Sequence, residues 1–424
     1  MAKKRRVKKP PREPTRRQLA KWQQQKRRQR ITLITGVTII AAVIILLGVG
    51  WYLSQYLPLH DTAIIVNDTE FNMKYYIDAL KFQGRNQSAE YIGQIADSVI
   101  DDIEQNELIR QAAGKLGISV SDDEVRERLK SAGFPNDAVH RDIVRTGLLI
   151  SKLRDEYFDK QVPVTAEQVH IMAMLLESER QAREVRNRLD HGESFADLAR
   201  ELSVNSLTRV NDGDLGWHPK SILSELLYTS VPAEYAFTAE VGSLSQPLRD
   251  EEVIKQVGYW LIKVTERDEA AETAHVHAIL LGSKEEAEAV RARLEAGEEF
   301  ATVAKETSQL PSAQTNEGDL GQMSKGATTP VLDEYIFNNG IELNTLSEPI
   351  RDETMTTTGG YWLIKVIDRG ERQIEEGDRD MLKMRALQEW IDSLWDDPDN
   401  LVDDTFLDAE KIAWAVEQAV QGMK

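Results

Sequence analysis

The sequence contains no cysteine among its 424 residues and only seven histidines. The absence of thiols excludes disulfide bonds, thiolate nucleophiles and cysteine-ligated metal centres. None of the histidines forms an HExxH-like pair, so the sequence predicts no catalytic metal site and implies no cofactor. Apolar residues make up 41% of the chain, which is enough for ordinary folded cores, and the length suggests two to four domains.

Charged side chains are missing from residues 31–59. Within this stretch, residues 31–53 read ITLITGVTIIAAVIILLGVGWYL. As a helix they would span roughly 34 Å, against a bilayer hydrocarbon core of about 30 Å. Trp51 and Tyr52 stand at the far end, where an aromatic belt belongs. The pattern predicts a transmembrane helix over 31–55. A cleaved signal peptide is the alternative, but the run is longer than a usual signal core and no A-x-A site follows.

Charge is distributed unevenly along the chain. Residues 1–30 carry 14 Lys or Arg and one acid, a net of +13, whereas the remaining residues carry a net of −32. By the positive-inside rule, residues 1–30 form a basic cytoplasmic arm and residues 61–424 lie outside the cytoplasm. The stretch KKRRVKK could also be a nuclear signal or a nucleic-acid patch. The adjoining span favours contact with anionic lipid, and the acidic body argues against a nucleic-acid partner.

The portion after the apolar stretch contains an internal repeat. At an offset of 105, His170 aligns with His275. The other matched stretches are ESFADLARELS (193–203) with EEFATVAKETS (298–308), DGDLG (212–216) with EGDLG (317–321), and GYWLIKV (258–264) with GYWLIKV (360–366). The last pair is offset by 102 residues, which indicates loop insertions. The pattern predicts a duplicated domain of about 100 residues rather than a solenoid, which needs more repeats.

Each copy predicts the same order of elements. An apolar strand is followed by a helix that ends at Gly192 or Gly297, where a left-handed backbone is expected. A second helix, a loop with GDLG, a helix with EYxF and the closing strand GYWLIKV come next. The expected fold class is therefore α+β, with a small antiparallel sheet in each copy.

The order G-x-x-F-A-x-x-A-x-x-x-S, G-D-L-G, E-x-x-F, S-x-P and G-Y-x-x-I-K-V resembles the parvulin-type peptidyl-prolyl cis-trans isomerases. The resemblance covers about residues 165–268 and 273–370, nearly half of the chain. It implies two parvulin-like domains with these bounds, each in a family that catalyses rotation about X–Pro bonds.

The flanking segments are similar to extracytoplasmic folding factors of the SurA/PrsA type. The resemblance lies in AIIVNDTEF (63–71) and GISVSDDEVRERL (117–129), and it implies a helical N-terminal chaperone module over 61–164. Ser121 with Glu124 predicts a capping box. C-terminal helices are expected over 371–424, where apolar residues recur at helical spacing and Asp408 can cap the last helix. In the family, chain beyond the isomerase domains often packs back on the N-terminal module.

Parvulins carry a polar cluster at the proline site: a His on the first strand, an Asp or Cys after the next helices, and a His on the last strand. A gapless register places other residues at these positions, namely Ala173, Asn205 and Trp260 in the first copy and Ala278, Leu310 and Trp362 in the second. A slip of three residues would bring His170 or His275 to the site, but on the opposite face of the strand. The resemblance therefore implies that both sites are degenerate.

An apolar shape remains as a means of binding. Trp260, Trp362 and Leu332 are the candidate substrate contacts, with simple core packing as the alternative for the two tryptophans. The expected function is that of a membrane-anchored chaperone for unfolded or newly exported polypeptides. Two alternatives stay open: a working prolyl isomerase, with the first domain and His170 as the better candidate, and a scaffold for assembly of one membrane complex.

Overall fold

The computed structural model describes residues 16–422, which fall into two units. One unit combines residues 16–159 with 386–422, and the other spans 160–385. The first half of the expected basic arm, residues 1–15, lies outside the described residues.

The N-terminal helix α1, Arg16–Trp51, continues through a π-helical turn, Tyr52–Tyr56, and a 3-10 turn, Leu57–His60. Among the described residues, one helical segment of 28 residues, Leu33–His60, is long and apolar enough to cross a membrane. An uncleaved anchor and a signal sequence both meet this criterion. The expected transmembrane helix lies almost entirely within this segment.

Helices dominate the first unit, whose small antiparallel sheet has the strand order β11-β1-β2. Its elements before residue 160 are β1 Thr62–Val66, β2 Thr69–Asn72, α2 Met73–Gln83, α3 Ala89–Gln94, α4 Ala96–Lys115, α5 Asp122–Ala132, α6 Ala138–Lys152 and a π-helical turn, Leu153–Phe158. A short helix, α7 Asp159–Gln161, follows. The helix α17, Glu376–Asp396, begins in the second unit and ends in the first, and β11 Val402–Asp403 and α18 Ala409–Gln421 follow it.

Two expected helix caps are confirmed in this unit. The Ser121 hydroxyl accepts the Glu124 backbone N–H, and the Glu124 carboxylate accepts the Ser121 backbone N–H at 2.7 Å, which completes the capping box. The Asp408 carboxylate accepts the Lys411 backbone N–H at 2.8 Å and starts the last helix. Each cap satisfies a backbone donor that the helix itself cannot.

One hydrophobic core unites the two ends of the sequence in this unit. Leu387 and Leu394 of α17 and Ala415 of α18 are buried in the same cluster as Tyr76 and Leu108. The apolar stripe of the C-terminal segment therefore packs on the N-terminal helices, as the family resemblance implied.

The second unit contains two four-stranded antiparallel sheets with the orders β4-β3-β10-β5 and β8-β7-β6-β9. Its strands are β3 Thr165–Leu176, β4 Asp214–Pro219, β5 Leu248–Lys255, β6 Gly258–Asp268, β7 Thr273–Leu281, β8 Asp319–Ser324, β9 Ile350–Asp352 and β10 Thr357–Gln373. Its helices are α8 Glu179–Asp190, α9 Phe195–Leu202, α10 Ser206–Val210, α11 Lys220–Leu227, α12 Val231–Thr238, α13 Lys284–Glu295, α14 Phe300–Thr307, α15 Ala313–Asn316 and α16 Pro330–Ile336.

Gly192 and Gly297 follow α8 and α13 with φ of 93° and 96°, the left-handed backbone expected there.

The two copies exchange their last strands. β10, from the second copy, lies beside β3 and pairs Ile364 with Ala173. β6, from the first copy, lies beside β7 and pairs Ile262 with Ala278. The expected bounds 165–268 and 273–370 follow the chain order of the motifs, whereas each sheet takes its closing strand from the other copy. The second sheet is built from a continuous segment, 258–352, inserted between β5 and β10.

The repeated sequence GYWLIKV makes this exchange sterically neutral. Trp260 pairs with Leu280 in one sheet, and Trp362 pairs with Leu175, the equivalent residue, in the other. Since both strands present the same side chains in the same register, either one supplies the same contacts to either sheet.

Hydrogen bonds fasten the two chain segments that cross between the sheets. The buried Lys255 ammonium donates to the carbonyls of Thr358, at 3.0 Å, and Gly359. The Thr357 hydroxyl donates to the Val257 carbonyl at 2.5 Å. Burial lowers the pKa of Lys255 to about 8. A buried cation is tolerated here because the two carbonyls solvate it.

Candidate functional site

Strand exchange determines which of the candidate site residues meet. Trp362 and Ala173 share one core cluster, against which Val204, the neighbour of Asn205, also packs. Trp260 and Ala278 share another, together with Leu310. In each sheet the first-strand alanine therefore meets the tryptophan of the other copy. The expected grouping of Ala173 and Asn205 with Trp260 is wrong for this reason.

Each tryptophan is tied to a buried carboxylate. The Trp362 indole N–H donates to Asp250 at 2.9 Å, and the Thr229 hydroxyl donates to the same carboxylate at 2.7 Å. Asp250 is 4% exposed. The bond fixes the ring in the core and leaves the indole without a free polar atom.

The second copy repeats this arrangement. The Trp260 indole N–H donates to Asp352 at 3.1 Å, and Thr329 donates to it at 2.6 Å. Asp352 is fully buried. Burial raises the pKa of this carboxyl, but hydrogen bonds from Thr329, Thr354 and Trp260 outweigh burial and hold the pKa below its usual value. The carboxylate is charged at neutral pH and serves as an acceptor rather than as a proton donor.

The expected contact surfaces are not exposed. Trp260, Trp362 and Leu332 are 3%, 0% and 2% exposed, so their side chains offer no area to a ligand. Core packing, the alternative for the two tryptophans, is the arrangement found. The reason is geometric, because the closing strand lies in the middle of each sheet and its tryptophan points into the core.

The two histidines of the slipped register lie away from these clusters. His170 Nε2 contacts Asp214 Oδ1 at 2.7 Å, and His275 Nε2 contacts Asp319 Oδ1 at 2.8 Å. Ala173 points into the core, and His170, three residues earlier on the strand, points to the opposite face. In this arrangement the histidines bond the GDLG turns and do not reach the positions of Ala173 and Ala278.

The Asp residues of GDLG also satisfy their own turns. Asp214 and Asp319 each accept a backbone N–H two residues later, from Gly216 at 2.9 Å and Gly321 at 2.8 Å. Burial raises the pKa of Asp319, but the Gly321 N–H and His275 lower it by more. The hydrogen bonds of both carboxylates stabilise their turns.

A groove opens next to the Trp362 cluster. It encloses about 470 Å³, and Asn205, one of the candidate site residues, lies in its lining. Its side chains come from both copies: Val204, Asn205, Ser206, Leu207, Arg209, Leu226, Leu227, Tyr228, Ile254, Lys255, Gln256, Arg351 and Glu353. Pockets that hold small ligands span about 300–1,000 Å³, and the volume of the groove lies within this range.

Two large apolar side chains are exposed in this groove. Tyr228 is 92% exposed and Ile254 is 65% exposed. Tyr228 follows α11 with a φ of 54°, a left-handed conformation that a tyrosine adopts at a cost. Exposed apolar groups rimmed by Arg351 and Glu353 are typical of a surface that binds other chains.

Sequence reasoning missed several of these residues. Asp250 and Asp352 stand in SQPLRD and SEPIRD, a match between the copies at the same offset of 102 as the closing strands. That offset could have identified the pair as partners of the tryptophans. No sequence signal marks Tyr228, because it lies in the segment of the first copy that does not align with the second.

Comparisons with known proteins agree with the order of motifs found in the sequence. A model of the PPIC-type PPIase domain matches residues 259–370, and another of the same description matches residues 170–266. A model of the SurA-like N-terminal domain matches residues 19–162. The matches identify two stretches similar to PPIC-type PPIase domains, preceded by one similar to a SurA-like N-terminal domain.

The chain is also similar to proteins named as a foldase and as a chaperone. "Foldase protein PrsA" of Caldanaerobacter subterraneus subsp. tengcongensis is 32% identical over 193 residues, which cover 42% of this chain and 59% of the relative, less than two thirds of its length. "Chaperone SurA" of Alcanivorax borkumensis is 24% identical over 425 residues, covering 84% and 93%. A crystal structure of PrsA from Bacillus cereus aligns over 86% of this chain and 92% of its own, at 12% identity and a TM-score of 0.27, too low to support an argument. This chain therefore combines a SurA-like N-terminal domain with two PPIC-type isomerase domains.

Proposed function

We propose that the chain is a membrane-anchored, extracytoplasmic folding factor that binds unfolded or newly exported polypeptides through the groove beside Asn205. Relatives named as a foldase and as a chaperone support this function. The observation that carries it is the exposure of Tyr228 and Ile254 in a groove of about 470 Å³. Contact between this surface and apolar groups of an unfolded chain lowers the free energy of the complex. The effect depends little on the sequence of the unfolded chain.

The same geometry argues against efficient prolyl isomerisation. Rotation about an X–Pro bond faces a barrier of about 18–20 kcal/mol, which parvulins lower with polar groups around the proline. In the first copy's sheet those positions hold Ala173, Asn205 and Trp362, none of which ionises. Asp250 is buried and engaged by Trp362 and Thr229, so it cannot replace the missing groups.

The anchor is the apolar segment Leu33–His60, preceded by basic residues. The proposed topology has residues 1–30 in the cytoplasm, near anionic lipid, and residues 61–424 outside. Tethering would hold the groove at a high local concentration beside chains that emerge from the membrane.

Binding of a labelled unfolded peptide to the full chain in detergent micelles tests the proposal. The double variant Tyr228→Ala, Ile254→Ser should bind about a hundredfold more weakly, because two apolar contacts of about 1.5 kcal/mol each are lost. Val241→Ser is the matched control, since Val241 is also exposed, at 53%, but does not line the groove. Equal binding by the double variant and the wild-type chain would contradict the groove as the binding site.

A working isomerase is the second candidate, and the place of Asn205 in the groove favours it, because an amide can hydrogen-bond a proline imide carbonyl. A proline-limited peptide assay separates the two functions. If isomerase activity is lost, the full chain will not accelerate proline isomerisation in this assay. Acceleration that Asn205→Ala abolishes would establish an active site in the groove. It would contradict the proposed loss of isomerase activity.

A further inference from the structure

Two histidines and one aspartate converge on one side of the second sheet. His275 and His277 are two residues apart on β7, so both side chains leave the same face of the strand. Asp319, on the neighbouring strand β8, is the direct cross-strand partner of His277. One potential ligand atom from each of the three residues lies within 4.8 Å of those of the other two.

The surroundings hold these side chains in place. The imidazole rings of His275 and His277 lie 5.3 Å apart at an interplanar angle of 28°, and Phe300 packs edge-on against His277 at 5.7 Å. Asp319 is oriented by the Gly321 N–H at 2.8 Å. Lys263 faces His277 from β6, and its positive charge would repel a bound metal ion. All three candidate ligands are partly exposed, so an ion and its waters can reach them.

Imidazole and carboxylate are ligands that suit Zn²⁺ and similar divalent transition metals. Ligands around one tetrahedral Zn²⁺ lie roughly 3.3 Å apart, since Zn–N distances are about 2.0–2.1 Å. His275 Nε2 and Asp319 Oδ1 lie 2.8 Å apart in a hydrogen bond, so they would separate by roughly 0.5 Å to share an ion. The ligand atoms lie up to 4.8 Å apart, so the third ligand would approach by up to about 1.5 Å, which rotation of partly exposed side chains permits.

The first copy provides a natural comparison. His170 and Asp214 occupy the places of His275 and Asp319 and make the same contact, at 2.7 Å. The place of His277 is taken by Met172, which faces Lys365 just as His277 faces Lys263. One residue therefore distinguishes a two-residue turn contact from a three-ligand cluster.

We propose that His275, His277 and Asp319 form a binding site for a divalent transition-metal ion of the zinc type, with water at the remaining coordination positions. The ion would bridge β7 and β8 at the surface of the second isomerase domain, on the face opposite to the core that contains Ala278. The site is specific to the second copy, because the first copy has a methionine in place of the third ligand.

Equilibrium dialysis of the untagged full chain in detergent micelles against ZnCl₂, with metal analysis, tests the site. The wild-type chain should bind about one Zn²⁺. His277→Met should weaken binding at least about tenfold without unfolding the chain, because the first copy already accepts methionine at this register. Far-UV circular dichroism confirms that the variant is folded.

Met172→His is the constructive variant, and it should raise the stoichiometry to about two Zn²⁺ per chain. His191→Ala is the control for adventitious binding, since His191 is exposed and its ring nitrogen contacts the Asn187 carbonyl. It should bind as the wild type does. Equal zinc affinity of the wild type and His277→Met, or no gain in Met172→His, would overturn the proposal.

Discussion

Trp362 and Asp250 lie 112 residues apart in the sequence and are joined by a buried hydrogen bond of 2.9 Å. The tryptophan belongs to the closing strand of the second copy, and the aspartate belongs to the first. Trp260 and Asp352 form the reciprocal bond at 3.1 Å. Each bond therefore holds the exchanged strand of one copy in the core of the other.

Removing the Trp362 indole N–H should destabilise the second unit. Trp362→Phe keeps most of the apolar volume but leaves the buried Asp250 carboxylate with Thr229 as its side-chain donor. We expect a loss of about 1–3 kcal/mol in the free energy of unfolding, measured by urea titration with far-UV circular dichroism. Trp395→Phe, at a tryptophan that is 41% exposed, is the control and should change little. Equal effects of the two substitutions would show that the buried bond contributes nothing.

Engineered cysteines should report the strand exchange directly, because the chain has no native cysteine. Met172 and Lys365 are cross-strand partners in the first sheet. Such partners have Cα atoms about 4.5–5.5 Å apart, a distance that a disulfide spans. The double variant Met172→Cys, Lys365→Cys should form an intramolecular disulfide on mild oxidation, detected by thiol titration and peptide mass spectrometry.

The pair Met172→Cys, Lys263→Cys is the matched control. Lys263 is the equivalent of Lys365 on the closing strand of the first copy, and it pairs with His277 instead. In domains closed in chain order, Lys263 would face Met172. A disulfide in this control pair, and none in the first, would refute the exchange.

Glu104 should make the first unit less stable as the pH rises. It is 4% exposed, one of its carboxylate oxygens has no hydrogen-bond partner, and burial together with Asp404 and Asp101 raises its pKa to about 7. The folded state therefore keeps a proton that the unfolded state releases near its ordinary pKa of 4.5. Stability is highest below that pKa and is lost as the pH rises through about 7.

The substitution Glu104→Gln removes this ionisation. Relative to the wild type, it should stabilise the chain by up to about 3 kcal/mol at about pH 8 and much less at about pH 5, measured by thermal or urea unfolding. Glu90→Gln, at an exposed glutamate of α3, should give the same small effect at both pH values. A pH-independent effect of Glu104→Gln would contradict the raised pKa.

His218 should contribute a second pH dependence of the same sign in the other unit. Its Nδ1 contacts Asp378 at 2.7 Å, and its Nε2 contacts the Leu215 carbonyl at 2.7 Å. Burial lowers the pKa of His218, but these two acceptors outweigh burial and raise it above its usual value. The stabilisation is complete below the unfolded-state pKa of about 6.5 and is lost as the pH rises through the folded-state pKa.

His218→Gln should therefore destabilise the chain by about 1–3 kcal/mol at about pH 5.5 and by less at about pH 9, in thermal unfolding at matched ionic strength. His191→Gln, at an exposed histidine, is the control and should have little effect at either pH. If His218→Gln lost more stability at the alkaline pH, this would contradict the assignment of His218 as an imidazolium that donates two hydrogen bonds.

Local pattern in the sequence determined much of this protein. The apolar stretch without charge, the capping box at Ser121, the cap at Asp408 and the left-handed glycines after α8 and α13 depend on residues within a turn or two of each other. The repeated motifs likewise predicted two α+β domains with a small antiparallel sheet in each, because alternation and helical spacing are properties of single segments.

Tertiary structure alone decided which strand closes which sheet. Both closing strands read GYWLIKV, so their side chains fit either sheet equally well, and no local preference separates the two pairings. The choice rests on the segments that cross between the sheets, where Lys255 is bonded to carbonyls about a hundred residues away. That choice also buried Trp260 and Trp362 against carboxylates of the opposite copy and brought Ile254 to the groove beside Asn205, contacts that depend on chain connectivity in three dimensions.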